Sequence, residues 1–217
     1  MKDLKKAFVL NLCIFLLEIF AVAWIIIEPG NGVLSGGRFR ALRYFTVDSN
    51  LLMGLFALWT AIDQRRVLTG KKAEVSAVSY VLALTGTAGV TLTMLVTIFF
   101  LVPTMGRIYG YFSLFEKSNF FMHLVNPVLS IITFLRFEKA SNIAFKHTFT
   151  ATIPLVVYAV YYLKEVLTHM TDGVIQKGYD WYGFFMFGTK SVYFILPLIY
   201  LVAWLISFTL WKLNRKK

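Results

Sequence analysis

Cysteine occurs once in 217 residues. A single thiol excludes an intramolecular disulfide and any cysteine-based zinc cluster. That residue, Cys13, falls in an apolar run, where packing is its expected role. Charge is scarce too, at 15% of residues, against about 25% in an average soluble domain. There is no Gly-rich phosphate loop, no His-x-x-x-His pair and no Gly-x-Ser-x-Gly elbow. No internal repeat is visible, so nothing points to an inverted-repeat transporter. No cofactor and no metal are expected.

What the chain has instead is apolar length. Hydrophobic residues make up 58%, and the mean hydropathy is +0.69. They gather into runs of about 20, the length that crosses a bilayer as helix. The expected fold is all-α: a polytopic membrane protein with six transmembrane helices in one domain, 1–217. The helices are expected at about Ala7–Ile27, Ala41–Ile62, Glu74–Val102, Asn119–Phe137, Thr148–Thr168 and Lys190–Leu210. Pro29-Gly30-Asn31-Gly32 should end the first, Gly36-Gly37 lies in the loop to the second, and Pro103 should stop the third. Gly86 and Gly89 suit close helix packing. The segment 169–189, with Asp180-Trp181-Tyr182-Gly183, reads as interfacial and turned back toward the bilayer. Lys2, Lys5 and Lys6 precede the first apolar run, which is too long for a signal core and reads as a retained helix.

The net charge of +11 does not imply nucleic acid, because no soluble segment is long enough to form such a module. Fourteen of the Lys and Arg residues fall on one side of the six-span arrangement and eight on the other. The positive-inside rule then puts both termini in the cytoplasm. Membrane lipids are the expected partners, and a multi-pass cell membrane the expected location.

Two stretches break the apolar pattern. One is Arg43-Tyr44-Phe45-Thr46-Val47-Asp48-Ser49-Asn50. The other is Asn119-Phe120-Phe121-Met122-His123-Leu124-Val125-Asn126-Pro127. Both follow the start of a helix that runs inward from the outer face. At 1.5 Å per residue, Thr46 and His123 lie roughly 6–8 Å along their helices, so at similar depth. Thr46, Ser49 and Asn50 share one helical face, and Asn119, His123, Asn126 and Pro127 another. Lipid cannot solvate such strips, so they should turn inward and meet. A neutral imidazole beside a threonine hydroxyl can take its proton during nucleophilic attack. Asn50, Asn119 and Asn126 are candidates to orient the ring or bind an oxyanion. Asp48 points away from Thr46 and is expected to meet Arg43 or another helix. Glu18, mid-way along the first helix, needs a partner or a proton. Plainer roles compete: a membrane threonine commonly bonds its own backbone, and Asn126-Pro127 is also a kink signal.

Arg43 to Leu51 and Met122-His123-Leu124-Val125-Asn126-Pro127-Val128-Leu129 resemble the androgen-induced gene 1 family and its androgen-dependent, tissue-factor-pathway-regulating relative. Asp180-Trp181-Tyr182-Gly183 is similar to a segment before the last helix of bacterial Pr6Pr membrane proteins. The resemblance implies an intramembrane threonine hydrolase acting on lipid esters, notably fatty acid esters of hydroxy fatty acids, in a bacterial membrane. It implies Thr46 as nucleophile and His123 as base. The polar strips by themselves are equally compatible with a small-solute or ion transporter, or with a non-catalytic lipid-binding protein.

Overall fold

The computed structural model describes residues 1–28, 38–140, 142–176, 178–185 and 188–215. The expected breaker Pro29-Gly30-Asn31-Gly32, the Gly36-Gly37 loop, Lys177 and the last two lysines lie outside the described residues. Six helices are long and apolar enough to cross a membrane: α1 Lys2–Ile27, α2 Phe45–Leu68, α3 Ala77–Arg107, α4 Ser118–Phe137, α5 His147–Thr168 and α6 Thr189–Asn214. Large apolar side chains such as Leu16, Trp59, Phe99, Val157 and Phe194 point away from the bundle. So large an exposed apolar surface is what lipid, rather than water, solvates well.

α1 shows how the bundle is built. Its buried residues include Ala7, Asn11, Ile14, Glu18, Ala21 and Ile25. They alternate steps of four and three, the seam of two helices packed side by side. That seam lies mainly against α2, which in turn packs on α3. Small residues let the backbones approach. A Cβ on Gly54 would sit 2.9 Å from the Glu18 Cβ, and one on Gly86 3.1 Å from the Met53 Cα. Gly86 and Gly89 therefore do serve close packing, both against α2. Cys13 does not pack as expected; it is exposed on the outer side of α1.

Three boundaries differ from the sequence reading. α2 begins at Phe45, because a 3-10 segment, Arg38–Arg43, and an extended Tyr44 precede it. It also runs on to Leu68, burying Asp63 and Gln64 that read as loop. There Asp63 accepts from Lys72 Nζ (2.6 Å), Ser76 N (2.7 Å) and Ser79 Oγ (2.8 Å), tying α2 to the start of α3. α3 does not stop at Pro103. A wide π-turn over Thr97–Leu101 precedes it, and Pro103 sits in the first turn of the next helical stretch, where its missing N–H is tolerated.

Between α5 and α6 the chain makes a hairpin, β1 Met170–Thr171 against β2 Val174–Ile175. Asp172 and Gly173 form its turn, with φ of 52° and 77°, as a two-residue type I′ hairpin requires. The chain beyond folds back onto the bundle. Asp180 accepts from the N–H groups of Phe184 and Phe185, both at 3.0 Å, and from the Tyr162 hydroxyl. Trp181, Tyr182 and Phe185 pack in one apolar cluster with Phe45, Leu92 and Tyr162.

Candidate functional site

The two polar stretches meet. The Asn50 amide on α2 donates to the Thr46 carbonyl at 2.8 Å and to the Met122 carbonyl on α4 at 3.4 Å. One nitrogen thus touches the backbone of Thr46 and that of the residue before His123. The second contact has a local cause. α4 contains a π-turn over Phe121–Val125, in which the Asn126 N–H reaches back to the Phe121 carbonyl. Pro127, next in line, has no N–H to offer Met122. The carbonyl freed by the proline is met by Asn50.

His123 is buried, with Nδ1 2.8 Å from the Leu114 carbonyl. A carbonyl only accepts, so in the neutral ring Nδ1 carries the proton and Nε2 the lone pair. The Phe115 ring stands edge-on to the imidazole, with centroids 6.4 Å apart. The orienting acceptor is therefore a backbone carbonyl in the loop before α4. Asn119 is buried but makes no side-chain hydrogen bond to His123 among the described residues. Asn126 turns to α1, where its amide donates to Glu18 Oε2 at 2.7 Å.

Thr46 is half-buried in the first turn of α2. It lies nearer the helix end than the depth count had it, because the helix starts at Phe45. Its hydroxyl has no hydrogen-bond partner among the described residues. Thr85, Thr91 and Thr133, by contrast, bond the carbonyl four residues back. What is satisfied at Thr46 is the carbonyl, by Asn50 and by Ser49 Oγ at 3.1 Å. No direct hydrogen bond joins Thr46 to His123 among the described residues. Position in the first turn also places Thr46 at the positive end of the helix.

Asp48 forms no ion pair among the described residues, and the expected contact with Arg43 is not made. It lies instead within electrostatic reach of Tyr158, Tyr161 and Tyr182. Arg43 donates to Tyr44 Oη at 3.0 Å and to the Gly178 carbonyl at 3.3 Å, beneath the Trp181 ring. The Phe45 N–H donates to Tyr182 Oη at 2.8 Å, and Tyr158 Oη donates to the Arg43 carbonyl at 2.6 Å. Two tyrosines thus hold the entrance of α2. Neither contact follows from sequence spacing, so neither tyrosine stands out in the sequence as a site residue.

Beside Ser49 a narrow cleft of about 20 Å³ lies between α2, α3, α5 and α6, lined mostly by apolar and small side chains, among them Phe45, Leu52, Gly86, Gly89 and Leu155. Among the described residues no group of three or more His, Cys, Asp or Glu could hold a metal ion. In comparisons with known proteins, no family model, no curated sequence and no solved structure matches this chain.

Proposed function

We propose that the chain is an intramembrane lipid esterase, with Thr46 as nucleophile and His123 as general base. The observation that carries this reading is the Asn50 bridge, which draws the backbone of an unbonded threonine toward the helix turn bearing a histidine with a free Nε2. In the reaction, Thr46 Oγ1 attacks the ester carbonyl and its proton passes to His123 Nε2. The carbonyl oxygen becomes an oxyanion, stabilised by the positive end of α2, where the Phe45 N–H is held by Tyr182 and the Val47 N–H by the Tyr44 carbonyl. Collapse expels the alcohol, which takes the proton back from His123. Water, deprotonated by the same ring, then hydrolyses the acyl-threonine. Asn50 acts through position, and the tyrosine pair keeps the α2 entrance fixed.

The substrate class follows from the resemblance of the Thr46 and His123 stretches: fatty acid esters of hydroxy fatty acids. Both termini face the cytoplasm, by the distribution of Lys and Arg, and the bacterial setting follows from the resemblance of the Asp180-Trp181-Tyr182-Gly183 stretch. The test is hydrolysis of such an ester by the purified chain in lipid nanodiscs. Wild type releases free fatty acid, and both Thr46→Ala and His123→Ala lose the activity while remaining folded. Full turnover by folded Thr46→Ala would sink the reading.

A further inference from the structure

Glu18 is the buried group the proposed chemistry leaves over. It is fully buried at mid-length in α1. Oε2 accepts from Asn126, but Oε1 has no partner among the described residues. Nor do Oδ1 of Asn50, Oδ1 of Asn126 or the Ser130 hydroxyl, all on residues that are likewise fully buried. Glu18, Asn50 and Asn126 lie where α1, α2 and α4 touch. Glu18 abuts Gly54, one turn beyond Asn50 on α2. Asn50 touches the Met122 carbonyl, one turn before Asn126 on α4. Ser130 follows one turn after. Among the described residues the ion pairs are Lys72–Asp63 and Lys117–Glu28, and Glu18 has none.

Unpartnered acceptors in a membrane interior call for something positive and small, since a bare carboxylate there is costly. The atoms on offer are all oxygens, which select a hard cation over zinc or copper. A single carboxylate matches a single positive charge, where calcium sites gather several carboxylates. Tight packing at Gly54 favours a small ion. We propose that Glu18, Asn50, Asn126 and Ser130 bind one dehydrated sodium ion, which neutralises Glu18 and ties α1, α2 and α4 together. The site shares Asn50 with the esterase reading, through the oxygen rather than the nitrogen of its amide, and contains neither Thr46 nor His123.

Thermal unfolding of the purified full chain in nanodiscs tests it, in NaCl, KCl and choline chloride at equal ionic strength and pH. Sodium at tenfold its dissociation constant raises the midpoint by about 3–5 °C over choline. Glu18→Gln removes that response, and the milder Ser130→Ala moves the half-effective sodium concentration several-fold upward. Should Glu18→Gln fail to fold, binding of radioactive sodium to wild type decides: saturation near one ion per chain supports the site. Equal midpoints in the three salts, absence of saturable sodium binding, or a sodium response that survives in folded Glu18→Gln would each overturn it. A Glu18 that simply carries a proton gives the first of these results. Ester hydrolysis is scored separately, so either idea can fail alone.

Discussion

α1 buries two polar residues in one seam, Asn11 and Glu18, two turns apart, and their surroundings differ in one respect. At Asn11 donors and acceptors balance. Its amide donates to Glu138 Oε1 at 2.7 Å and to Gln64 Oε1 at 3.2 Å, while Gln64 Nε2 donates to Glu138 at 3.4 Å. Asn214 closes the same end of α4 by donating to the Phe134 and Glu138 carbonyls at 2.6 and 2.9 Å. At Glu18 acceptors are in excess, and several have no donor. The first layer is a finished structural joint. The second, and the Thr46–His123 region beside it, holds groups that the fold itself leaves unsatisfied, which is costly unless a ligand or reaction uses them.

That contrast predicts a split between activity and stability. The largest effect is expected at the Thr46–His123 region. Thr46→Ala should lower ester turnover by about 10³-fold, with an unfolding midpoint within about 2 °C of wild type. The reverse is expected at the Asn11 layer. Asn11→Ala strips a donor from a buried carboxyl and should cost about 2 kcal/mol of stability in denaturation experiments, while turnover per folded molecule stays near wild type. If Asn11→Ala instead kills turnover without loss of stability, the division is wrong.

A pH titration sharpens the same point. Burial pushes the Glu138 carboxyl up to about 7, against the pull of the Asn11 and Gln64 amides. The folded chain then holds this proton more tightly than the unfolded one. The stabilisation is fully present below the ordinary carboxyl range and is lost as pH rises through about 7. Unfolding measured from pH 5 to 8 should show that decline, and Glu138→Gln should flatten it. The smallest effect is expected at the tyrosine clamp. Tyr182→Phe removes the acceptor of the Phe45 N–H and should cost about 1 kcal/mol.

Much of this was legible in the residues. Runs of bilayer length marked six helices, and the spacing of Thr46, Ser49 and Asn50 marked an inward strip. The glycines of α3 were read correctly as packing residues. Asn119, His123, Asn126 and Pro127, one strip by helical spacing, are all buried, while the π-turn at Phe121–Val125 divides the strip and its members take different partners. His123 goes to Leu114 and Asn126 to Glu18. Glu18 was flagged as needing a partner, yet nothing in spacing could say that Asn126 would be it. Leu114 was beyond reach for another reason: it acts through its carbonyl, which every residue has.

Boundaries failed where the backbone leaves the α-form. The 3-10 stretch before Phe45 shortened α2 at one end, and the π-turn before Pro103 carried α3 past a proline. Asp48, expected to meet Arg43 or another helix, pairs with no cation among the described residues and lies within electrostatic reach of Tyr158 and Tyr161 on α5.

The most direct measurement of the central claim is the site of covalent capture. Wild-type chain in nanodiscs is treated with a lipid-like fluorophosphonate, digested and mapped by mass spectrometry. The adduct is predicted on Thr46, forming slowly in His123→Ala and not at all in Thr46→Ala. An adduct on any other residue, or equal labelling of folded Thr46→Ala, would contradict Thr46 as the nucleophile.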